Sequence, residues 1–544
     1  MTDEFDYIIV GAGTAGCVLA NRLTEDGKNT VLLLEAGGSD FSIWIQMPIG
    51  YGRTFFDKRI NWMYDTQPVE ALSGRRSYWP RGKVIGGSGS INAMVYVRGQ
   101  PHDFDDWKAL GNSGWGWDDV LPYFKKSEDF DWYSAHHGRG GPQHVTDISP
   151  HVHPVCHSFI ESAQALGFPA SSDFNGGHPE GVGFYQINTR GGWRASTANA
   201  FLRPALRRKT LTLRSHALAT RILFDGWRAT GIAYTRKGEA FEATARREVI
   251  LAGGAINSPQ LLMLSGIGDP DHLKSMGIEP LISAPAVGRN LQDHIAVSYF
   301  YKARTATLND VLHPVLGKIR AGLRYMADRA GPLSLSVNQS GGFVRSDASK
   351  KYPNLQLYFS PVSYTKTPLS ERKLLNPDPF SAFLLSHNPC RPTSRGHIEL
   401  ASADVNAHPV IHPNYLATQE DIDDVLAGNR LIRQIARTRP LADIITEELI
   451  PGEAVEGDED QLADFRDRAD TVYHPTGTCM MGPDAKTSVV DTRLRVHGVE
   501  GLRVIDASVF PNITSGNTNA PTVMVAEKGA AMILEDANRS KNNA

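Results

Sequence analysis

Phe5-Asp-Tyr-Ile-Ile-Val-Gly-Ala-Gly-Thr-Ala-Gly-Cys17, followed after a short interval by Val31-Leu-Leu-Leu-Glu-Ala-Gly37, decides how this chain folds. Tyr7 to Val10 is a short apolar run rich in β-branched residues, which suits a strand buried on both faces of a parallel sheet. The run stops at glycine. Gly11, Gly13 and Gly16 carry G-x-G-x-x-G spacing: the first allows a tight turn, the second admits a pyrophosphate to the backbone, and the third lets a helix pack close to the strand. The helix begins at Thr14 and Ala15, where unpaired N–H groups and the helix dipole favour an anion, and Val18, Leu19 and Leu23 mark its apolar face. The second strand, Thr30 to Leu34, ends in Glu35 and Ala36, with Glu35 placed to accept from the two ribose hydroxyls of an adenosine. Strand, turn, helix, strand and distal acid agree on a dinucleotide site. The fingerprint does not separate FAD from NAD.

With 544 residues the chain can build two or more cores, and its composition is that of a globular protein of two domains. A net charge of -3 without a dense Lys/Arg run argues against nucleic acid, or a strongly anionic membrane surface, as the main partner. Cys17, Cys156, Cys390 and Cys479 are scattered and form no C-x-x-C, so a reducing compartment fits. The first strand starts within a few residues of Met1 and no apolar stretch is long enough to cross a bilayer. The expectation is a cytoplasmic protein with no transmembrane segment, with peripheral contact at the inner membrane left open.

Further along, an aromatic, irregular stretch holding Trp44, Tyr51, Phe55, Phe56, Trp62 and Tyr64 suits loops over a large ligand. Gly82-Lys-Val-Ile-Gly-Gly-Ser-Gly-Ser-Ile-Asn92 follows, a second glycine-rich run where backbone can approach something flat or phosphorylated. His136, His137, His144, His151, His153 and His157 cluster with Cys156, but Pro150, Pro154 and the lack of an i, i+4 ligand pair leave no metal geometry, and the stretch reads as loop. Leu211 to Arg246 reads as a β-meander ending in a polar hairpin, and Val249 to Leu251 as a separate buried strand ending in Ala252 and Gly253. Residues 296–465 alternate in the manner of an antiparallel sheet with helices, one from Gln419 to Arg437. Leu502 to Ile505 is again a buried strand, ending in Asp506 and Ala507, before a helix that runs through Val523 to Leu534. The fold class is therefore α/β, or α+β overall: a Rossmann-like dinucleotide domain with a β-meander (1–150, 190–295 and 466–540) and a substrate domain on an antiparallel sheet covered by helices (151–189 and 296–465).

Both glycine-rich runs, the stretch Gly254 through Ser258-Pro259 to Ser265-Gly-Ile-Gly268, and the C-terminal His and Asn stretches together resemble the glucose-methanol-choline (GMC) family of FAD-dependent oxidoreductases. The resemblance covers essentially the whole chain. It implies FAD as cofactor, with Gly11, Gly13, Gly16 and Glu35 on the ADP half and Ala219 meeting the adenine region through backbone. Gly86, Gly87, Ser88, Asn92, Ala93, Met94 and Val95 would lie along the pyrophosphate and flavin, and Asp506 and Ala507 along the ribityl portion. Choline oxidase tethers its flavin through a histidine where this chain has Ile91, so the resemblance implies a non-covalent FAD.

Oxidising an alcohol requires a base for the hydroxyl proton and a group that fixes the oxygen, and histidine, with an unperturbed pKa of about 6.5, suits the first task. Tyr473-His474-Pro-Thr-Gly-Thr-Cys-Met-Met-Gly482 resembles the family's histidine motif, which makes His474 the base. Asn517, in Gly516-Asn-Thr-Asn-Ala-Pro521, takes the second position, with Asn519 the competing assignment. The helix that follows would direct its N-terminus, Asn519, Ala520 and Thr522, at the flavin. His294 in Asn290-Leu-Gln-Asp-His294 reads as a structural loop, and Cys479 as a packed side chain. The implied reaction is oxidation of a primary alcohol, aliphatic or polyether in type, with a quinone or other carrier as electron acceptor. Oxygen-using oxidation, choline oxidation and a hydroxynitrile lyase with structural FAD are the alternatives.

Overall fold

In the computed structural model, which describes residues 3–177, 179–365 and 376–542, the opening stretch forms β1 (Asp3–Val10), α1 (Thr14–Leu23) and β2 (Val31–Leu34). β1 and β2 are parallel, with Val10 opposite Leu34. The first sheet runs in the order Leu211–Arg214, β2, β1, Glu239–Leu251, Arg228–Arg236, Ala217–Asp225, and Leu502–Val504 adds to the Glu239–Leu251 strand. Ile8, Ile9, Leu32, Leu33, Val249 and Ile250 are wholly buried, as strands covered on both faces must be.

One strand does two jobs. The polar hairpin and the buried strand expected near residue 250 are a single 13-residue strand, Glu239–Leu251. Its first half pairs antiparallel with Arg228–Arg236 and its last three residues pair in parallel with Leu502–Val504, while β1 runs parallel to it from Ala243 to Leu251. Polarity changes along it because the first half borders solvent and the second lies between layers, so a change of composition marks a change of surroundings and not the end of an element.

The second sheet is antiparallel throughout, in the order Ile445–Ile450, Ile295–Ala303, Ala382–Pro389, Leu355–Ser360, Ser340–Val344, Gly181–Phe184. The helix Gln419–Ala436, capped by the Thr418 side chain, packs on the Ala382–Pro389 strand, and Asn429 bonds His387 there at 2.8 Å. The stretch around residue 150 is not all loop: His144 lies in the strand Gln143–Val145 and His157 in the helix Val155–Ala165. Pro150 and Pro154 stand at the starts of helical turns, where a missing N–H costs nothing, so they initiate helix here. Among the described residues no helix is long and apolar enough to cross a membrane.

Candidate active site

Four parallel strands end together. Val10, Leu34, Leu251 and Val504 are in register, so Gly11, Glu35, Ala252 and Asp506, which follow them closely, gather at one edge of the sheet. That edge is where ligands bind in open α/β sheets. A cavity of ≈ 420 Å³ opens there, lined at this end by Gly11, Gly13, Thr14, Ala15, Glu35, Ala36, Gly87 and Ser88. Ala219, Ala252, Gly253, Asp506 and Ala507 complete this half.

The backbone leaves room for a phosphorylated ligand. Gly13, the N-cap of α1, has no side chain to accept from the helix's first N–H groups, and these orphan groups lie beside the cavity. A Cβ on Gly16 would stand 1.9 Å from the Gly11 carbonyl oxygen, so α1 can lie against the turn only because that position is glycine. Gly87, at φ +55°, brings the second glycine-rich run onto the first: a Cβ there would be 2.8 Å from Gly13 Cα. Glu35 accepts from the Ala12 and Gly37 N–H groups at 2.9 and 2.8 Å, and burial raises its pKa to about 7. Asp506 accepts from Gly254 N–H at 2.8 Å and Ser258 Oγ at 2.6 Å. Donor-rich backbone, an uncapped helix and an acid at a strand end fit a dinucleotide.

At the other end of the same cavity, His474 and Asn517 stand side by side, with Asn517 Nδ2 3.1 Å from His474 Nε2. Behind them is a residue expected to be a structural loop. His294 Nδ1 lies 2.9 Å from His474 Nδ1, and His294 Nε2 lies 2.8 Å from the Cys390 carbonyl oxygen. A carbonyl only accepts, so His294 Nε2 carries the proton and, in the neutral ring, Nδ1 is bare. Burial lowers the pKa of His294 to about 4, which keeps the ring neutral. His474 must then donate from Nδ1, leaving its Nε2 lone pair toward Asn517 and the cavity. Gln356 completes the chain by donating from Nε2 to Asn517 Oδ1 at 3.5 Å, so the amide points its NH₂ at the imidazole.

His474 is itself firmly held. Its backbone N–H donates to Asp293 Oδ1 at 2.7 Å, and Asp293 Oδ2 accepts from Thr471 Oγ1 at 2.6 Å and from the Tyr415 hydroxyl. Tyr473, just before it, adopts φ +68°, a conformation uncommon for an aromatic residue, and Arg81 Nη2 binds its carbonyl oxygen at 2.6 Å. Burial, with His294 and the Arg81 charge adding to it, lowers the pKa of His474 well below its usual value. The imidazole is therefore an unprotonated acceptor at neutral pH.

Asn92, Ala93, Met94, Val95, Asn519 and Thr522 also reach the cavity. Gly16, Gly86 and Ala520 stand behind its wall: Gly16 at the α1 contact, Gly86 donating to the Ala12 carbonyl at 2.7 Å, and Ala520 buried at the start of the helix Asn519–Asn542. Of the two asparagines weighed, Asn517 meets the imidazole, while Asn519 accepts from Thr14 Oγ1 at 2.9 Å and joins that helix to α1. His294, Gln356, Asp293 and Arg81 lie outside the set of residues expected at the site, and their sequence surroundings carry only the readings of a glycine-rich run, a strand and a loop. Of the earlier histidine cluster, His137 lies between Glu128 and Asp173 and His144 between Asp129 and Asp131, all within 3.2 Å.

The sequence profile described as GMC oxidoreductase matches residues 5–296, and its C-terminal counterpart matches residues 392–526. The mitochondrial choline dehydrogenase of Homo sapiens is 43% identical, with 98% of this chain and 90% of that protein covered. An alcohol dehydrogenase (acceptor) of Pseudomonas putida is 42% identical over 97% of this chain and 96% of its own length. Among solved structures, pyridoxine 4-oxidase from Mesorbium loti superposes with a TM-score of 0.88 at 32% identity, covering 97% of this chain and 99% of that one. The glycine-lined sheet edge, the C-terminal imidazole and these matches along almost the full length lead to one conclusion: the chain belongs to the GMC oxidoreductase family.

Proposed function

We propose that this protein oxidises a neutral primary alcohol, aliphatic or polyether in type, to the aldehyde, using non-covalent FAD and passing electrons to a quinone or another acceptor than oxygen. The observation that carries the reading is the bare Nε2 of His474 beside the Asn517 amide, in the same cavity as the glycine-lined sheet edge. FAD, when bound, supplies the acceptor for the hydride that leaves the alcohol carbon. Gly11, Gly13, Gly87, Glu35 and Asp506 are the residues that would hold it, and Ile91, an aliphatic side chain, offers nothing to tether it.

The chain's own part is proton handling. His474 takes the hydroxyl proton at Nε2, and the Asn517 NH₂ group, aimed by Gln356, steadies the oxygen as it gains charge. His294 accepts from Nδ1 throughout, so the imidazole keeps one tautomer and the imidazolium that forms keeps an acceptor at Nδ1. Thr518, Asn519 and Thr522 bring the first turn of the helix Asn519–Asn542 to the cavity, where its N–H groups favour negative charge.

Choline is the competing substrate, because Tyr51, Phe55, Tyr364 and Tyr473 line the imidazole end and aromatic faces attract a quaternary ammonium. Against it, the carboxylates among the described lining residues are Glu35 and Asp506, both at the glycine-lined end. Anaerobic stopped-flow mixing with straight-chain alcohols, polyether alcohols, sugars and choline decides the substrate: rapid flavin bleaching is expected with the first two classes. Bleaching by choline alone overturns the substrate assignment, and bleaching by none overturns the oxidation. Peroxide release in air as fast as dye reduction would make the enzyme an oxidase.

A further inference from the structure

The helix Val315–Asp328 turns the usual amphipathic arrangement outward. Only Ala321 and Tyr325 of its large and small apolar residues are buried, while Val315, Leu316, Ile319, Leu323 and Met326 are each exposed, from 51% at Ile319 to 71% at Val315. At 3.6 residues per turn, those five side chains fall within an arc of about 100° on the side away from Ala321 and Tyr325. Arg320 and Arg324 lie along one border of the arc and Lys318 along the other, all exposed. A single acid, Asp328, stands on the helix, 4.0 Å from Arg324. An exposed apolar stripe of this length marks an interaction surface.

The charges say what kind. A second copy laid on the stripe by a two-fold axis would bring rows of arginine toward each other, whereas an apolar stripe bordered by cations matches the boundary between acyl chains and anionic headgroups. We propose that this helix docks the protein on an anionic lipid bilayer, lying in the interface plane with Leu316, Ile319 and Leu323 inserted and Lys318, Arg320 and Arg324 at the phosphates. The whole-chain charge of -3, which argued against such a surface, averages over a patch whose own sign is opposite. On its inner side Tyr325 belongs to the apolar cluster that contains Tyr51, Met94 and Val337, and these three also line the cavity. Docking would therefore set the cavity wall close to the bilayer.

The test is co-sedimentation of the flavin-loaded protein with vesicles of phosphatidylcholine alone and of phosphatidylcholine with phosphatidylglycerol. Binding to the anionic vesicles is expected to be roughly 10- to 100-fold tighter, and to weaken as salt screens the headgroups. Leu316→Gln with Leu323→Gln should abolish binding to both, and Arg320→Glu with Arg324→Glu should remove the anionic preference, each variant keeping its flavin absorbance and its rate with a soluble dye. Binding by the leucine variant equal to that of the parent overturns the proposal, as does failure of the parent to bind anionic vesicles. A dimer of the parent in sedimentation equilibrium that the leucine variant converts to monomer would assign the stripe to a second copy and equally overturn it.

Discussion

The two ends of one cavity are built in different ways. The glycine-lined end is made from short stretches of continuous chain, with Gly11, Glu35 and Asp506 each following a strand of one sheet. Its chemistry is mostly backbone. The imidazole end is made from single side chains drawn from distant parts of the sequence, His294 and His474 being 180 positions apart and Gln356 and Asn517 161. Damage to the first end should remove the cofactor, and damage to the second should remove the reaction and leave the cofactor in place.

Gly16→Val gives the sharpest test of the first half, since the new side chain meets the Gly11 carbonyl at a distance no rotamer relieves. The expected product is colourless after purification and unresponsive to added FAD; a yellow, active variant would break the contrast. His474→Ala should instead retain full flavin content and slow anaerobic flavin reduction by roughly 10²–10⁴-fold, the range for loss of a positioned general base. Asn517→Ala is expected to cost less, roughly 10²-fold, because it removes one donor to the developing oxyanion and leaves the base. A greater loss in the asparagine variant than in the histidine variant would reverse their roles.

His294→Ala should have the smallest effect on rate, about 10-fold or 1.4 kcal/mol, but the most informative pH dependence. In the parent, His474 accepts a proton only well below pH 6.5, so the rate of flavin reduction should stay level from pH 8 down through 6.5 and fall only in more acid solution. Admitting water behind the imidazole weakens the burial that lowers its pKa, so in the variant the fall should begin at higher pH. His294→Asn, whose amide can donate to the Cys390 carbonyl and accept from His474, should restore the parent profile. An unchanged profile in the alanine variant would mean that His294 only fills space.

Much of the glycine-lined end could be read in advance because its requirements are local. A tight turn, a close helix and an acid at a strand end each write themselves into residues a few positions apart, and in-register strands bring them together. His474 and Asn517 were visible through motifs, and the structure adds what each asparagine touches, Asn517 the imidazole and Asn519 the Thr14 hydroxyl. His294 looked structural because its neighbours in sequence carry no sign of what it faces. The strand Glu239–Leu251 was divided in two because polarity follows surroundings, and the surroundings change halfway along it. In the helix Val315–Asp328 periodicity reveals that a face is apolar and is silent on whether that face points inward.

Sequence alone determined the sheet edge with its phosphate-accepting turn and the presence of an imidazole near the C-terminus, since those depend on backbone freedom and side-chain type. Only the tertiary structure decided which nitrogen of that imidazole is free, through a partner 180 residues away whose own proton is committed to a carbonyl. A tautomer depends on which donors and acceptors lie within about 3 Å, and such distances between remote segments exist only once both sheets are packed.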